Sequence, residues 1–387
     1  MKIAIIGLGI SGVFYALLRK KFHKEDEIFF FEKNKENEGL RKVLVAGNGK
    51  VNLGNENITN DCYNDTNFIR EKLKIASINE YKKFLKELGI YTVQKNGTCF
   101  YPISLDGKAL YEILILKLKE EKIVINYDSK ILDYETIGDK VVLFTKDKKH
   151  TFDKLIFATG GCSSPILGSD GSIVEIFKKH QIPFEDFKPG LTGIKTNLKF
   201  KKIDGARIEG SVKIFSHNHL IHEEDGEILF KKDGLSGIIM FNALSILNRT
   251  SEKNNFISID FVSKHLGDNL KTFMEEVVLN SKIEMNYMLD CLINSKLKKF
   301  FLESFPQYNK EEMFNLLRDF KVIPIGDYGF TNSHVSIGGI KLESLDGKFS
   351  LIKNKNISFV GEVLNIDGLC GGYNILFCFI SSYIAAK

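Results

Sequence analysis

The chain has 387 residues, more than twice the length of a typical single domain of about 150, so we expect more than one folding unit. Hydrophobic residues make up 43% and charged residues 27%, a balance that excludes a disordered or collagen-like chain. The formal net charge of +5 is small for this length and does not by itself require a nucleic acid partner.

The first part of the chain predicts an α/β fold. Lys2 to Ile6 reads as a strand, and apolar residues recur at helical spacing from Ser11 to Lys21. Glu27 to Glu32 reads as the next strand and completes a βαβ unit of about 30 residues. Helices, strands and a hairpin then alternate as far as a strand at Lys154 to Ala158.

A glycine string, GLGISG, separates the first strand from the first helix. Its glycines, Gly7, Gly9 and Gly12, follow the GxGxxG pattern that lets backbone and helix N–H groups approach a pyrophosphate. Glu32 follows Gly12 by 20 residues and is placed to accept hydrogen bonds from a ribose. An acid at this position favours FAD or NAD over NADP.

The pattern changes at about residue 188. Short alternating segments with turn residues predict a small β-barrel domain over residues 188–263, with its last strand at 322–335. Helical spacing from Leu270 to Val278 predicts a small helical insert over residues 264–321. Strand, glycine turn and helix return over residues 336–387, so we expect these residues and residues 1–187 to form one discontinuous domain.

Other features limit the location and the ligands. The six cysteines show no CxxC or CxxxxC spacing, which argues against a disulfide scaffold and a zinc site and fits a reducing compartment. The N-terminal sequence lacks the long apolar region of a signal peptide, and the apolar run from Tyr373 to Ala386 is shorter than the roughly 20 residues that span a bilayer. We expect a cytoplasmic protein with no membrane partner. His217, His219 and His222 are interpreted as part of a solvated hairpin, so no metal is predicted.

Further glycine-rich segments point to a cofactor longer than NAD. Residues 41–52, RKVLVAGNGKVN, are basic and glycine-rich, and a simple NAD dehydrogenase does not need such a loop. Residues 158–161, ATGG, end a predicted strand, and residues 361–374, GEVLNIDGLCGGYN, lead into the last helix.

At these residues the sequence resembles the HI0933-like (BaiN/YhiN) family of NAD(P)/FAD-dependent oxidoreductase flavoproteins. The motifs that carry the resemblance run in the family's order and are GLGISG, RKVLVAGNGKVNLGN, GTCFYPIS, ATGGCSSPILGSDGS, GEILFKKDGLSGI, SIGGI and GEVLNIDGLCGGYN. The resemblance extends over nearly the whole chain. It implies an α/β fold with a discontinuous Rossmann-like FAD-binding domain, an inserted small β-barrel domain and a small helical domain.

The resemblance also implies which residues hold FAD. The glycine string would hold the pyrophosphate, Glu32 the ribose, and the backbone near Ile131 the adenine edge. Residues 371–374 would present helix N–H groups to flavin N1 and O2, where negative charge develops on reduction. The predicted cofactor-binding residues are Gly7, Gly9, Ile10, Ser11, Gly12, Glu32, Lys33, Arg41, Lys42, Gly47, Asn48, Gly49, Asn52, Ile131, Ala158, Thr159, Gly160, Gly161, Gly361, Glu362, Gly371, Gly372, Tyr373 and Asn374.

The chain departs from the family pattern in three places. Lys50 and Val51 replace an Arg-Cys pair, Ser336 replaces Thr, and Ile238 replaces Pro. Val51 has no redox chemistry, so any role of the family's Cys cannot apply here. The catalytic proton donor is left open.

The candidate catalytic residues lie in three different segments. Lys50 keeps a positive charge in the glycine-rich loop, and Tyr101 follows in the FYPIS segment. His334 lies at the expected return to the nucleotide-binding domain, but the interpretation as an ordinary interdomain histidine is favoured over a catalytic one.

The resemblance implies an FAD-dependent oxidoreductase that transfers hydride through flavin N5, with NADH or NADPH as a transient electron donor. The substrate would be a small molecule, unsaturated or steroid-like. Two alternatives stay open: an FAD-dependent tRNA-modifying protein, and a flavin-binding redox sensor without turnover. Residues 190–233 hold eight basic and seven acidic side chains, and residues 264–321 hold nine of each, so nucleic acid is the less favoured partner.

Overall fold

A computed structural model describes residues 1–36, 38–58, 62–95, 97–250 and 254–387. The chain divides into two compact units. The first unit comprises Met1–Lys188 and Val335–Lys387, and the second unit comprises Pro189–His334. The predicted division at residues 187, 263, 321 and 335 is finer than these two units and stays a prediction.

The chain up to residue 190 contains β1 (Lys2–Ile6), α1 (Ile10–Phe22), β2 (Glu27–Phe31), α2 (Arg41–Val45), β3 (Gly54–Asn55), α3 (Thr66–Leu73), α4 (Ile78–Glu87), β4 (Thr92–Lys95), β5 (Cys99–Pro102), α5 (Gly107–Glu120), β6 (Val124–Asn126), β7 (Asp133–Ile137), β8 (Lys140–Phe144), β9 (Lys149–Phe152), β10 (Lys154–Phe157), α6 (Val174–Lys179) and β11 (Phe184–Gly190).

Residues 191–334 contain β12 (Ile194–Thr196), β13 (Arg207–Ser216), β14 (His219–Lys231), β15 (Gly234–Ser236), α7 (Ile238–Arg249), β16 (Asn255–Asp260), α8 (Ser263–Leu266), α9 (Leu270–Phe273), a π-helical turn (Met274–Val278), α10 (Met285–Leu292), α11 (Ser295–Ser304), α12 (Lys310–Arg318), β17 (Phe320–Val322) and β18 (Pro324–Asp327). The C-terminal segment contains β19 (Val335–Ile340), β20 (Ser350–Leu351), β21 (Asn354–Phe359) and α13 (Tyr373–Ala386).

The core of the first unit is a six-stranded sheet with the order β20-β21-β10-β1-β2-β6. All neighbours in it are parallel except β20 and β21. The inner strands are apolar runs such as KIAII because helices cover both faces of a parallel sheet. The predicted α/β fold class is confirmed, and both ends of the chain supply strands to one sheet.

The topology brings three loops to one edge of this sheet. The carboxyl ends of parallel strands meet at the same edge, and β1, β10 and β21 are each followed there by a glycine-containing loop. Gly7 has a φ of +96°, and a Cβ at this position would lie 2.8 Å from the carbonyl oxygen of Ala158. Only glycine fits this close approach of two backbones.

The second unit has its own sheet and its own core. Seven antiparallel strands follow the order β17-β16-β13-β14-β15-β12-β18, where a small β-barrel domain was predicted. Aromatic side chains including Phe200, Phe230, Phe261 and Phe320 fill the core against α10–α12. In the part of the chain that the structure describes, no helix combines the length and the apolar character needed to cross a membrane.

Candidate functional site

The glycine loop after β1 is fixed by the acid that ends β2. The backbone N–H of Leu8 donates to Glu32 Oε2 at 2.8 Å, and the backbone N–H and the side-chain amide of Asn34 donate to Glu32 Oε1 at 2.9 and 2.7 Å. Glu32 is only 6% exposed. A carboxylate offers about four acceptor sites, so Glu32 can orient the loop and still bind a ribose hydroxyl.

Helix α1 starts inside this loop. Gly9 is its N-cap, and among the described residues no side chain caps this end. The free N–H groups and the positive end of the helix dipole are therefore available to an anion. A Cβ on Gly12 would lie 2.7 Å from the carbonyl oxygen of Gly7, so this glycine permits the tight turn. The arrangement is that of a dinucleotide-binding loop.

The loop of residues 47–52 has an unusual backbone. Gly47, Asn48, Gly49 and Val51 all have positive φ, and the φ of +57° at Val51 is strained because this residue is β-branched. Val51 is fully buried, and its N–H donates to the carbonyl oxygen of Ala46 at 2.9 Å. This fold of the loop leaves the side chain of Lys50 exposed, while Asn52 turns inwards.

Three predicted cofactor residues carry buried polar atoms with no hydrogen-bond partner among the described residues. They are Nε of Arg41, Oδ1 of Asn52 and Oγ1 of Thr159. Buried polar atoms in folded proteins are almost always paired, so atoms left unpaired point to a ligand. A donor, an acceptor and a hydroxyl are the groups that ribityl hydroxyls and the polar edge of an isoalloxazine ring would satisfy. The residues present therefore fit FAD.

The loop before α13 is held mainly by its own side chains. Asn374 accepts from the N–H of Gly368 at 2.9 Å and donates to its carbonyl oxygen at 2.8 Å. The Tyr373 hydroxyl donates to Asn57 at 2.9 Å, and Tyr63 donates to the carbonyl oxygen of Tyr373 at 2.8 Å. The side chains of Tyr373 and Asn374 thus shape the loop, which leaves backbone N–H groups as its means of binding a ligand.

A polar network at the carboxyl edge of the sheet includes two residues that were not predicted as site residues, Ser163 and Ser336. Glu362 Oε1 accepts from Ser163 Oγ at 2.9 Å and from the N–H of Ser336 at 2.8 Å. Lys42 Nζ donates to Ser163 Oγ at 2.7 Å and lies 3.1 Å from Glu362 Oε2. The signal in the sequence that could have indicated Ser163 is its position just after the ATGG motif.

The structure gives the surroundings of two further predicted cofactor residues, Lys33 and Ile131. Lys33 forms an ion pair with Asp170 at 2.5 Å. Burial would raise the pKa of Asp170, but hydrogen bonds from Lys33 and Ser172 lower this pKa to about 2. Ile131 is buried in the core of the first unit.

The candidate catalytic residues do not share one environment. Lys50 is exposed and Tyr101 is buried in β5. His334 is exposed, belongs to the second unit and packs edge-on against Phe241, with ring centroids 5.1 Å apart. The structure thus brings Arg41, Lys42, Asn52 and the glycine loops into one unit, but it does not unite these three candidates.

Cys162 and His222 each lie close to carboxylates. Burial, followed by the carboxylates of Glu362 and Asp170, raises the pKa of Cys162 to about 11, so its thiol stays protonated at neutral pH. His222 lies 3.2 Å from Glu224 on β14. Within the described ranges, no three His, Cys, Asp or Glu side chains are arranged to hold a metal ion.

Fold and site together define a Rossmann-like, FAD-dependent oxidoreductase. The model of the HI0933-like protein Rossmann domain matches residues 1–387, and the chain belongs to this family. The chain is 26% identical to the 3-dehydro-bile acid delta(4,6)-reductase of Clostridium scindens, over 100% of this chain and 98% of that one. It is 23% identical to the ribosomal RNA dihydrouridine synthase of Escherichia coli and 24% identical to that of Haemophilus influenzae, each over 99% of this chain and 96% of the relative.

Proposed function

We propose that this protein reduces a carbon–carbon double bond of an unsaturated small molecule, with NADH or NADPH as the electron donor. The observation that carries the proposal is the set of unpaired buried atoms on Arg41, Asn52 and Thr159, in the same unit as the dinucleotide loop. Bound FAD would supply two-electron hydride chemistry, which no amino-acid side chain provides. The name of the relative from Clostridium scindens supports a reductase.

The chain's own residues would bind and orient the cofactor. The N-terminus of α1 would hold the pyrophosphate, and Glu32 would accept from the ribose. Arg41, Asn52 and Thr159 would complete their hydrogen bonds on the ribityl and ring atoms. The N-terminus of α13 would stabilise negative charge next to the ring.

The nicotinamide nucleotide would bind transiently. The sequence holds a single GxGxxG string, at residues 7–12, so a second dinucleotide domain of the glutathione-reductase kind is not predicted. NADH or NADPH would therefore occupy the substrate's place, deliver its hydride and leave before the substrate binds. The substrate would then receive a hydride and a proton across its double bond.

An absorption spectrum of the purified protein, followed by anaerobic titration with NADH and NADPH, tests the proposal. We expect visible flavin absorption that one of the nucleotides bleaches. A colourless protein that cannot be reconstituted with FAD would contradict cofactor binding. A flavin that neither nucleotide bleaches would contradict the proposed electron donor alone.

A pair of variants on β2 tests the site. Glu32→Gln removes a charged acceptor, and such hydrogen bonds contribute about 1.5–3 kcal/mol, so FAD should bind roughly 10- to 100-fold more weakly. Glu27→Gln, at the exposed start of the same strand, should bind FAD normally. Titration of FAD into the deflavinated proteins measures both. Equal affinity for the two variants would place the ribose elsewhere.

A second candidate function is reduction of a base in RNA. The two ribosomal RNA dihydrouridine synthases match nearly the whole chain, so the similarity is not limited to the nucleotide-binding motifs. Retention of RNA on a filter, weakening steeply as salt rises, would support this candidate. Bleached flavin that is reoxidised by RNA, but not by conjugated enones, would replace the small-molecule proposal.

A further inference from the structure

Four side chains form what we name the Lys42–Glu362 clamp: Lys42, Ser163, Ser336 and Glu362. Besides the contacts to Glu362 given above, Ser336 Oγ accepts from the N–H of Cys162 at 2.7 Å and from the N–H of Ser163 at 2.9 Å. Ser163 and Ser336 are fully buried. The side chains of Lys42 and Glu362 keep 32% and 20% exposure. The clamp therefore holds one ammonium and one carboxylate in fixed positions while both stay partly accessible.

The clamp is built around the glycines that follow β10. A Cβ on Gly161 would lie 2.4 Å from Ser336 Oγ and 3.1 Å from Glu362 Oε1. One on Gly160 would lie 3.9 Å from Glu362 Oε2. The glycines thus let the carboxylate approach the backbone at the sheet edge where open α/β folds bind ligands.

Two of the three unpaired buried atoms lie near the clamp in the chain. Arg41 directly precedes Lys42, and Thr159 directly precedes Gly160. Two separate segments therefore each contain a contact of the clamp and a buried polar atom that has no hydrogen-bond partner among the described residues. The two charges of the clamp consequently lie in the same loops that hold the proposed cofactor site.

We propose that the clamp sets the reduction potential of the bound flavin. This inference rests on the FAD binding proposed above. Reduction adds negative charge to the ring system, so the opposite charges of Lys42 and Glu362 affect the reduced state in opposite directions. The ammonium of Lys42 stabilises the reduced state, and the carboxylate of Glu362 destabilises it. Ser163 and Ser336 hold the two charged groups in place through the hydrogen bonds to Lys42 and Glu362.

The signs give a test that does not depend on turnover. The midpoint potential of bound FAD is measured by equilibration with a reference dye in wild type, Lys42→Met, Glu362→Gln and the double variant. We expect Lys42→Met to shift the reduced-to-oxidised ratio about tenfold towards the oxidised form, equivalent to about −30 mV for a two-electron couple. Glu362→Gln should shift it by a similar factor towards the reduced form, and the double variant should return near wild type.

A second ion pair, at the other end of β10 from Gly160 and Gly161, serves as the control. Asp153 directly precedes β10, and Lys140 donates a hydrogen bond to its carboxylate. Lys140→Met and Asp153→Asn should leave the potential unchanged. Lys42→Arg, which keeps the charge, should stay close to wild type and shows whether the fold survives a change at this position.

Three results would overturn the inference that the clamp sets the reduction potential. Shifts of the same sign in Lys42→Met and Glu362→Gln would indicate a merely structural role and overturn the inference, as would unchanged potentials in both. Potentials that move in the control pair as well would also overturn it. A wild-type protein that takes up no FAD shows no flavin absorption at all, and that failure belongs to the proposed function.

Discussion

A buried ion pair between Arg19 and Asp26 joins α1 to the end of α13 in the first unit. Arg19 Nε lies 2.6 Å from Asp26 Oδ2, and the same guanidinium donates to the carbonyl oxygen of Ala386 at 3.0 Å. Both charged groups are buried. Removing one partner of a buried ion pair leaves the other charge uncompensated, which costs about 3–5 kcal/mol. This pair thus fixes α1, whose N-terminus faces the dinucleotide site, to the end of α13.

The same pair predicts a pH dependence of stability. Burial would raise the pKa of Asp26, but hydrogen bonds from the amino group of Met1 and from Arg19 outweigh it and hold this pKa below its usual value. A lowered native pKa contributes stability above the unfolded value of about 3.9, and this stability is lost as the pH falls through the native pKa. Asp26→Asn should therefore cost about 3 kcal/mol at pH 7 and far less in acid.

Urea unfolding of the two proteins, at pH 7 and at successively lower pH, measures the difference. Glu71→Gln, which removes a surface pair with Lys74, should cost less than about 1 kcal/mol at every pH. A cost for Asp26→Asn that stays constant down to the most acidic pH would show that the carboxylate's charge does not carry the stability.

The sequence selects most readily those residues whose partners are near in the chain. Glu32 was predicted because a βαβ unit fixes the distance between the glycine loop and the end of the second strand. The pairing of Lys42 with Glu362 joins residues 320 positions apart, and that of Lys42 with Ser163 joins residues 121 apart. No local period encodes such contacts, so the sequence could name Lys42 and Glu362 as cofactor residues but not pair them.

At the scale of elements, the strands and the helix around the glycine string were predicted well, whereas helix type and strands defined only by pairing were not. Helix α1 and strands β1, β2 and β10 lie within one residue of their predicted bounds. The amphipathic stretch from Leu270 to Val278 is α9 followed by a π-helical turn, since hydrophobic spacing does not distinguish these helix types. Strand β3 has two residues and is defined by its pairing with β5, which only tertiary contacts provide.

The loop that precedes α13 depends on one amide side chain. Asn374 closes the loop by bonding both backbone groups of Gly368, and Asn374→Ala breaks both bonds. At about 0.5–1.5 kcal/mol each, their loss should cost roughly 1–3 kcal/mol in the free energy of unfolding. FAD should also bind more weakly, because the N–H groups at the start of α13 lose their fixed positions.

Urea unfolding of the FAD-free protein and titration with FAD measure these two effects separately. Asn374→Asp keeps the acceptor for the Gly368 N–H and should fall between wild type and Asn374→Ala. Asn356→Ala removes a hydrogen bond to Asp139 at an exposed site and serves as the control. Wild-type FAD affinity in a destabilised Asn374→Ala would remove this loop from the binding site.

At the scale of the whole molecule, the two units have separate hydrophobic cores. The first core is built on the parallel sheet and includes Phe30, Phe157 and Phe379, and the second is built on the antiparallel sheet. Within the second unit, the N–H of His334 donates to the carbonyl oxygen of Leu191 at 3.3 Å, so the two ends of this insert lie side by side. An insert with adjacent ends can be removed without stretching the domain that contains it.

We therefore expect the first unit to bind FAD without the second. A chain that joins residue 188 to residue 335 through a short Gly-Ser linker should fold and show flavin absorption, because every residue proposed to hold FAD lies in residues 1–188 and 335–387. Residues 189–334 expressed alone should unfold cooperatively and bind no FAD. Flavin absorption and urea unfolding of both proteins provide the measurement. A linked first unit that folds but stays colourless with added FAD would show that the insert supplies part of the cofactor site.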